Sequence, residues 1–117
     1  PGIRIVERSK HEAYVGSSIQ FHVDGFPAGD IPTFVSDCFE RGVELKWFGA
    51  EAPVAFTSRY DSWRYLRDIP ELPQTLGALS TTCDMRIPLT FSEDDCRVIA
   101  EIICEEAAKR AEMAAGQ

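Results

Sequence analysis

The chain has 117 residues, 44% of them hydrophobic and 26% charged, which fits one ordinary globular domain and is too little for two good cores. A formal net charge of −7 sets it against polyanions, whose binding is driven by cations that neutralise phosphates, so no nucleic-acid partner is expected. No run approaches the roughly 20 apolar residues of a membrane span, and no signal peptide is visible, so a cytoplasmic protein without a membrane partner is expected.

The chain begins PGIRIVER without Met, which reads as processing or as a piece of something longer. Four cysteines, Cys38, Cys83, Cys96 and Cys104, form no C-x-x-C pair, and His11 and His22 lie far from them in sequence. A zinc site needs close-spaced Cys/His pairs, so no metal is expected; the cysteines read as reduced, structural thiols.

Residues 3–8, IRIVER, alternate apolar and polar side chains and predict a half-buried strand, followed by a loop through HEAYVGSS. SIQFHVDG alternates again, with Ile19, Phe21 and Val23 on one face and Gln20, His22 and Asp24 on the other. His22 therefore reads as an exposed strand histidine and not as a catalytic one. DGFPAGDIP is turn chemistry, Asp30 is placed to cap a helix, and Pro32 suits its first turn. Phe34, Val35, Cys38 and Phe39 then recur at helical spacing, and Gly42 is placed to end the helix in a left-handed conformation. VELKWF, residues 43–48, predicts a strand with Val43, Leu45 and Trp47 on one face.

Residues 49–73 carry three prolines and no sustained period, a length of irregular chain that is usually functional or packed on a partner. PQTLGALSTTCD predicts a short helix and MRIPLT a brief extended segment, at a sheet edge or ending at Pro88. Ser92 followed by Glu93, Asp94 and Asp95 predicts a capping box and an acidic first turn, both suited to a helix N-terminus. Cys96, Ile99, Ile103 and Ala107 form the stripe expected to be buried, Glu105 and Glu106 read as a solvated face, and the tail from residue 104 is expected to be exposed and to fray. The order predicts a single α+β domain over 1–117: a small, mainly antiparallel sheet with two main helices packed on one face, a two-layer sandwich.

No nucleophile–base pair, phosphate loop or metal cluster is evident in the sequence. Function is therefore sought in the stretch FTSRYDSWRYL within the long connection. Arg59 and Arg64 can each form a bidentate pair with a carboxylate or phosphate, and Tyr60, Trp63 and Tyr65 are amphipathic surfaces of the kind that anchors interfaces. In the competing reading, Trp63 and Tyr65 cover the domain's own core while the arginines pair with Asp61, Asp68 or Glu71.

Several of these pieces resemble a known family. A helix ending in ERG and running into VELKWF, and then LPQTLGALSTTCDMRIPLTFSEDDCRVIAEII, are similar to the C-terminal region of the DegT/DnrJ/StrS-type sugar aminotransferases. The matching positions are Leu72, Pro73 and Thr75, then Ile87, Pro88 and Leu89, then Ser92, Glu93 and Asp94, then Val98 and Ile99. The resemblance is strongest from Gly42 to Ile103. It implies the small C-terminal domain of a fold type I, pyridoxal-phosphate-dependent homodimer, preceded by a large domain bearing the Schiff-base lysine and acting on a small-molecule amino donor and acceptor. Lys10, Lys46 and Lys109 lack the lysine's context, so this chain alone is not expected to bind the cofactor or to transaminate. The resemblance also implies that the loop after VELKWF faces substrate and dimer partner. Family members often carry histidine there; this chain offers Arg59, Tyr60, Trp63 and Arg64 as substrate-binding or interface residues. The alternative reading is a stand-alone, non-catalytic α+β ligand-binding or regulatory module.

Overall fold

A computed structural model describes residues 2–53, 59–62, 64, 65 and 67–116, and of Tyr60 the backbone. Four strands, β1 (Ile3–Ile5), β2 (Ser18–Val23), β3 (Lys46–Trp47) and β4 (Thr82–Arg86), form one sheet in the order β1-β2-β4-β3, with every neighbouring pair antiparallel. The helices are α1 (Ile31–Glu40), α2 (Pro73–Leu79) and α3 (Glu93–Ala115). The α+β architecture expected from the sequence is present, with α1 and α3 as the two main helices and α2 as a short third one with no buried residue.

Residues opposite one another in an antiparallel ladder share a face. Ile5 opposes Phe21, Phe21 opposes Cys83, Trp47 also opposes Cys83, and Ile19 opposes Met85, so the apolar set of each strand meets on one side. Ile31, Phe34 and Cys38 of α1 and Ile103 and Ala107 of α3 close over that side, with Val43 and Leu45 completing the core. Phe26 and Phe34 pack with ring centroids 5.6 Å apart and planes tilted by 60°. The other side of the sheet is polar: Gln20 donates to Asp84, and His22 Nδ1 lies 3.1 Å from Thr81 Oγ1. His22 is thus half-buried against threonine hydroxyls, where the sequence alone suggested exposure.

Helix α1 stops as its sequence implies. Gly42 takes φ +86°, Gly42 N–H donates to Phe39 O at 2.9 Å, and Val43 N–H donates to Cys38 O at 2.9 Å, the paired bonds of a Schellman motif. Asp30 precedes the helix but its side chain does not cap it, because the residue already belongs to a 3₁₀ turn over Ala28–Asp30. Phe39, expected in the apolar set, is 65% exposed; it lies five residues after Phe34, about 140° around the helix.

Three other expectations are corrected. The helix predicted to run through Asp84 ends at Leu79, and Thr82–Arg86 instead form β4, an inner strand between β2 and β3 that ends before Pro88. Glu106 is not solvated: it is 7% exposed, and Arg41 Nη1 donates to it at 2.9 Å and Lys109 Nζ at 3.1 Å. Arg41 also reaches Glu105, and Arg110 pairs with Asp37, so an ionic layer ties α1 to α3. The Arg41 hydrogen bond holds the Glu106 carboxyl below the ordinary carboxylate range. Finally, the C-terminal tail remains helical to Ala115, with Ala111 and Ala114 packed on the core. Its small side chains suit a close approach: a Cβ added to Gly25 would lie 2.7 Å from Gly2 Cα and 3.4 Å from Ala111 Cβ.

The start of α3 matches its sequence signature. Ser92 Oγ accepts from Asp95 N–H at 3.1 Å while Asp95 Oδ2 accepts from Ser92 N–H at 2.8 Å, a complete capping box that lowers the Asp95 pKa.

Candidate functional site

The connection from Gly49 to Leu72 leaves the sheet at β3 and returns through α2 to β4. Its root is fixed from both sides. Phe48 N–H donates to Thr82 O at 3.0 Å, and Trp47 Nε1 donates to Ser80 O at 2.9 Å. The Trp47 ring lies so close over Gly49 that a Cβ there would sit 2.5 Å from Cε2, which requires glycine at the exit.

Arg59 is the organising side chain within the connection. Its Nε donates to Asp61 Oδ1 at 2.9 Å, Nη2 donates to Asp61 Oδ2, and Nη1 donates to Ala50 O at 3.1 Å. A single 3₁₀ turn over Tyr60–Ser62 follows, in which Ser62 Oγ donates to Arg59 O at 2.7 Å. The Asp61 carboxyl, hydrogen-bonded by the guanidinium, is held below the ordinary range. A hollow of about 70 Å³ lined by Phe48, Gly49, Arg59, Asp61, Leu76 and Leu79 links this turn to α2. Arg64 projects into solvent and makes no ion pair with a described residue. Tyr65 is 74% exposed, and Ile69, Leu72 and Leu76 continue an exposed apolar series. Of the sequence-derived candidates, Arg59 pairs with Asp61 while Arg64 stands outward beside Tyr65; Trp63 and the Tyr60 side chain lie outside the described residues. Tyr65 does not cover the core.

A second feature was not anticipated. Between the sheet and the first half of α3 lies a cavity of about 200 Å³, lined by Ile3, Ile5, Ile19, Met85, Ile99 and Ile103 among other apolar side chains. Its α3 wall also carries the small residues Cys96, Ala100 and Cys104, spaced one turn apart, which leave the space that bulkier side chains would fill. That spacing was the available signal in the sequence. All four cysteines are free. Cys38 and Cys83 are wholly buried, and burial pushes both thiols up to about 12, whereas Cys104 is exposed, against the structural role expected for it.

None of the chain's three lysines, all of them described, is placed as a Schiff-base lysine. A Schiff-base lysine must be held against the cofactor. Lys10 is exposed, Lys46 lies on the edge strand with Nζ 5.0 Å from the Phe48 ring centroid, and Lys109 is ion-paired to Glu106. Among the described residues no three His, Cys, Asp or Glu side chains converge as a metal ion would require, and no helix is long and apolar enough to cross a membrane. The chain has no significant match among protein-family models, curated proteins or solved structures.

Proposed function

We propose that this chain is the C-terminal small domain of a pyridoxal-phosphate-dependent aminotransferase of the sugar-aminotransferase type. In this reading it walls the substrate site and contributes to the homodimer interface, while a preceding large domain supplies the Schiff-base lysine and holds the cofactor. The enzyme acts in the cytoplasm on a small-molecule amino donor and acceptor, without nucleic acid. The observation that carries the reading is the connection: among its described residues none enters the core cluster, and Arg64, Tyr65, Ile69 and Leu72, continued by Leu76 of α2, are exposed, an amphipathic surface suited to another body. The motif resemblance over Gly42–Ile103 supplies the identity of that body.

The test uses the complete reading frame that contains this segment. Its visible absorbance is recorded with pyridoxal phosphate before and after borohydride. A yellow band lost on reduction, with the label on a lysine outside these 117 residues, is the expected result. A protein that stays colourless refutes it.

The 200 Å³ apolar cavity favours a second reading, a non-catalytic ligand-binding or regulatory module, since apolar cavities of roughly 150 Å³ can take up a benzene-sized guest. Methyl chemical shifts of Ile99 and Ile103 during a benzene titration test it; unmoved resonances reject it.

A further inference from the structure

We propose that the cavity between the sheet and the first half of α3 is a binding site for one small, uncharged aromatic ring that carries no hydrogen-bonding atom. The inference rests on the ligand-binding reading of the cavity and names the class of ligand.

Ile3, Ile19, Phe21 and Met85 form the sheet wall of the cavity, and Ile99 and Ile103 face them from α3. The space is about 200 Å³, somewhat more than the roughly 150 Å³ that suffices for benzene, so it suits a ring with one or two further carbons. An α-helix, about 10 Å across with its side chains, cannot enter, and a peptide strand would bring N–H and C=O groups with nothing to receive them. The backbone around the cavity is already committed: β2 is paired on both edges, to β1 and to β4, and the α3 groups bond along their own helix. The lining side chains supply no strong donor or acceptor, so a hydroxyl, amide or charge placed inside would lose its water without replacement. Three of them, Met85, Cys96 and Cys104, carry sulfur, a soft, polarisable atom that favours contact with an aromatic ring over a saturated one. The way in is at one side: Ile5 on the edge strand β1 is 49% exposed, and Ala100 and Cys104 on the α3 wall are exposed as well. An empty space of this kind costs stability in proportion to its volume, and a larger side chain on the α3 wall would reduce it.

The test follows isoleucine methyl resonances of the complete protein during titrations with toluene, phenol and methylcyclohexane. Phenol is close to toluene in size but adds a hydroxyl. Toluene should shift Ile19, Ile99 and Ile103 saturably, and phenol should bind at least about fivefold more weakly, the scale of one hydroxyl buried without a partner. Met85→Leu keeps the volume but removes the thioether, so the ratio of toluene to methylcyclohexane affinity should fall by about two- to tenfold. Cys96→Leu fills the space from the α3 wall and should raise the urea midpoint while abolishing the toluene shifts. Phenol binding as tightly as toluene, an affinity ratio unchanged in Met85→Leu, or full toluene affinity in Cys96→Leu would each overturn the assignment. The comparison of toluene with phenol uses the wild type alone, so it decides the matter even if a variant does not fold. Resonances unmoved by toluene reject the cavity as a binding site altogether, whereas tight phenol binding rejects the ligand class and keeps the ligand-binding reading.

Discussion

Phe34 and Phe39 lie on the same helix and differ sharply in environment, which makes them a direct test of how α1 faces the sheet. Phe34 is 0% exposed and packs its ring 5.6 Å from that of Phe26; Phe39 is 65% exposed. Phe34→Ala should cost about 3–5 kcal/mol from lost transfer energy and the cavity left behind, with the tilted ring pair with Phe26 pressing the value toward the upper end. A chain of 117 residues has a total stability of roughly 6–18 kcal/mol, so this one change removes a substantial part of it. Phe39→Ala should stay within about 0.5 kcal/mol, as for other surface substitutions. Urea unfolding followed by far-ultraviolet circular dichroism reads both from the shift in midpoint at constant slope. Comparable losses from the two variants, or a Phe34→Ala loss below about 1 kcal/mol, would refute the packing of α1 described above.

Further outcomes follow from other parts of the molecule. Gly42→Ala should destabilise by about 1–2 kcal/mol, because φ +86° is strained for an L side chain even though open space surrounds the position; an unchanged urea midpoint would contradict the Schellman ending. Glu106 and Asp95 both have folded pKa values below their unfolded ones, so each contributes stability above the ordinary carboxylate value, and that contribution is lost as pH falls through the lowered folded value. Urea midpoints should therefore decline on acidification, and Glu106→Gln should flatten part of that decline; a pH profile for this variant that runs parallel to the wild type would count against the ionic layer. Thiol alkylation read by peptide mass spectrometry should label Cys104 in the folded protein and reach Cys38 and Cys83 only on unfolding, since burial both hides these two thiols and pushes them to about 12; early labelling of Cys83 would mean that the core opens locally.

What the sequence disclosed was local. The Ser92–Asp95 box, the left-handed Gly42 and the apolar faces of β2 and VELKWF each depend on residues a few positions apart, and each appears in the structure. What it concealed depends on distant partners. Thr82 follows directly on the helical run of α2, and although its β-branched side chain already favours a strand locally, it is the pairing between β2 and β3 that makes Thr82–Arg86 an inner strand. Glu106 looks like half of a solvated pair until Arg41, from the end of α1, is placed against it. The tail seemed too weakly apolar to bury, but Ala111 is there for its size, beside the approach of Gly2 and Gly25. In the candidate site, the Arg59–Asp61 pairing and an outward Tyr65 were both among the alternatives the sequence allowed, one from each competing reading, whereas the cavity under α3 was signalled only by the one-turn spacing of Cys96, Ala100 and Cys104.

The strand order has a bearing on how the protein is made. β2 and β3 never touch; the strand that joins them, β4, is synthesised some 35 residues after β3 ends at Trp47, the interval to Thr82. A nascent chain that has emerged only through VELKWF therefore holds the β1–β2 pair and a β3 that has no partner, and the sheet waits for its keystone. Once β4 arrives, both ends of the long connection are anchored by paired strands, so its length can drift at a cost of only about 0.6 kcal/mol per doubling. Descendants of this sequence could lengthen, shorten or rewrite that connection while inheriting the sandwich unchanged.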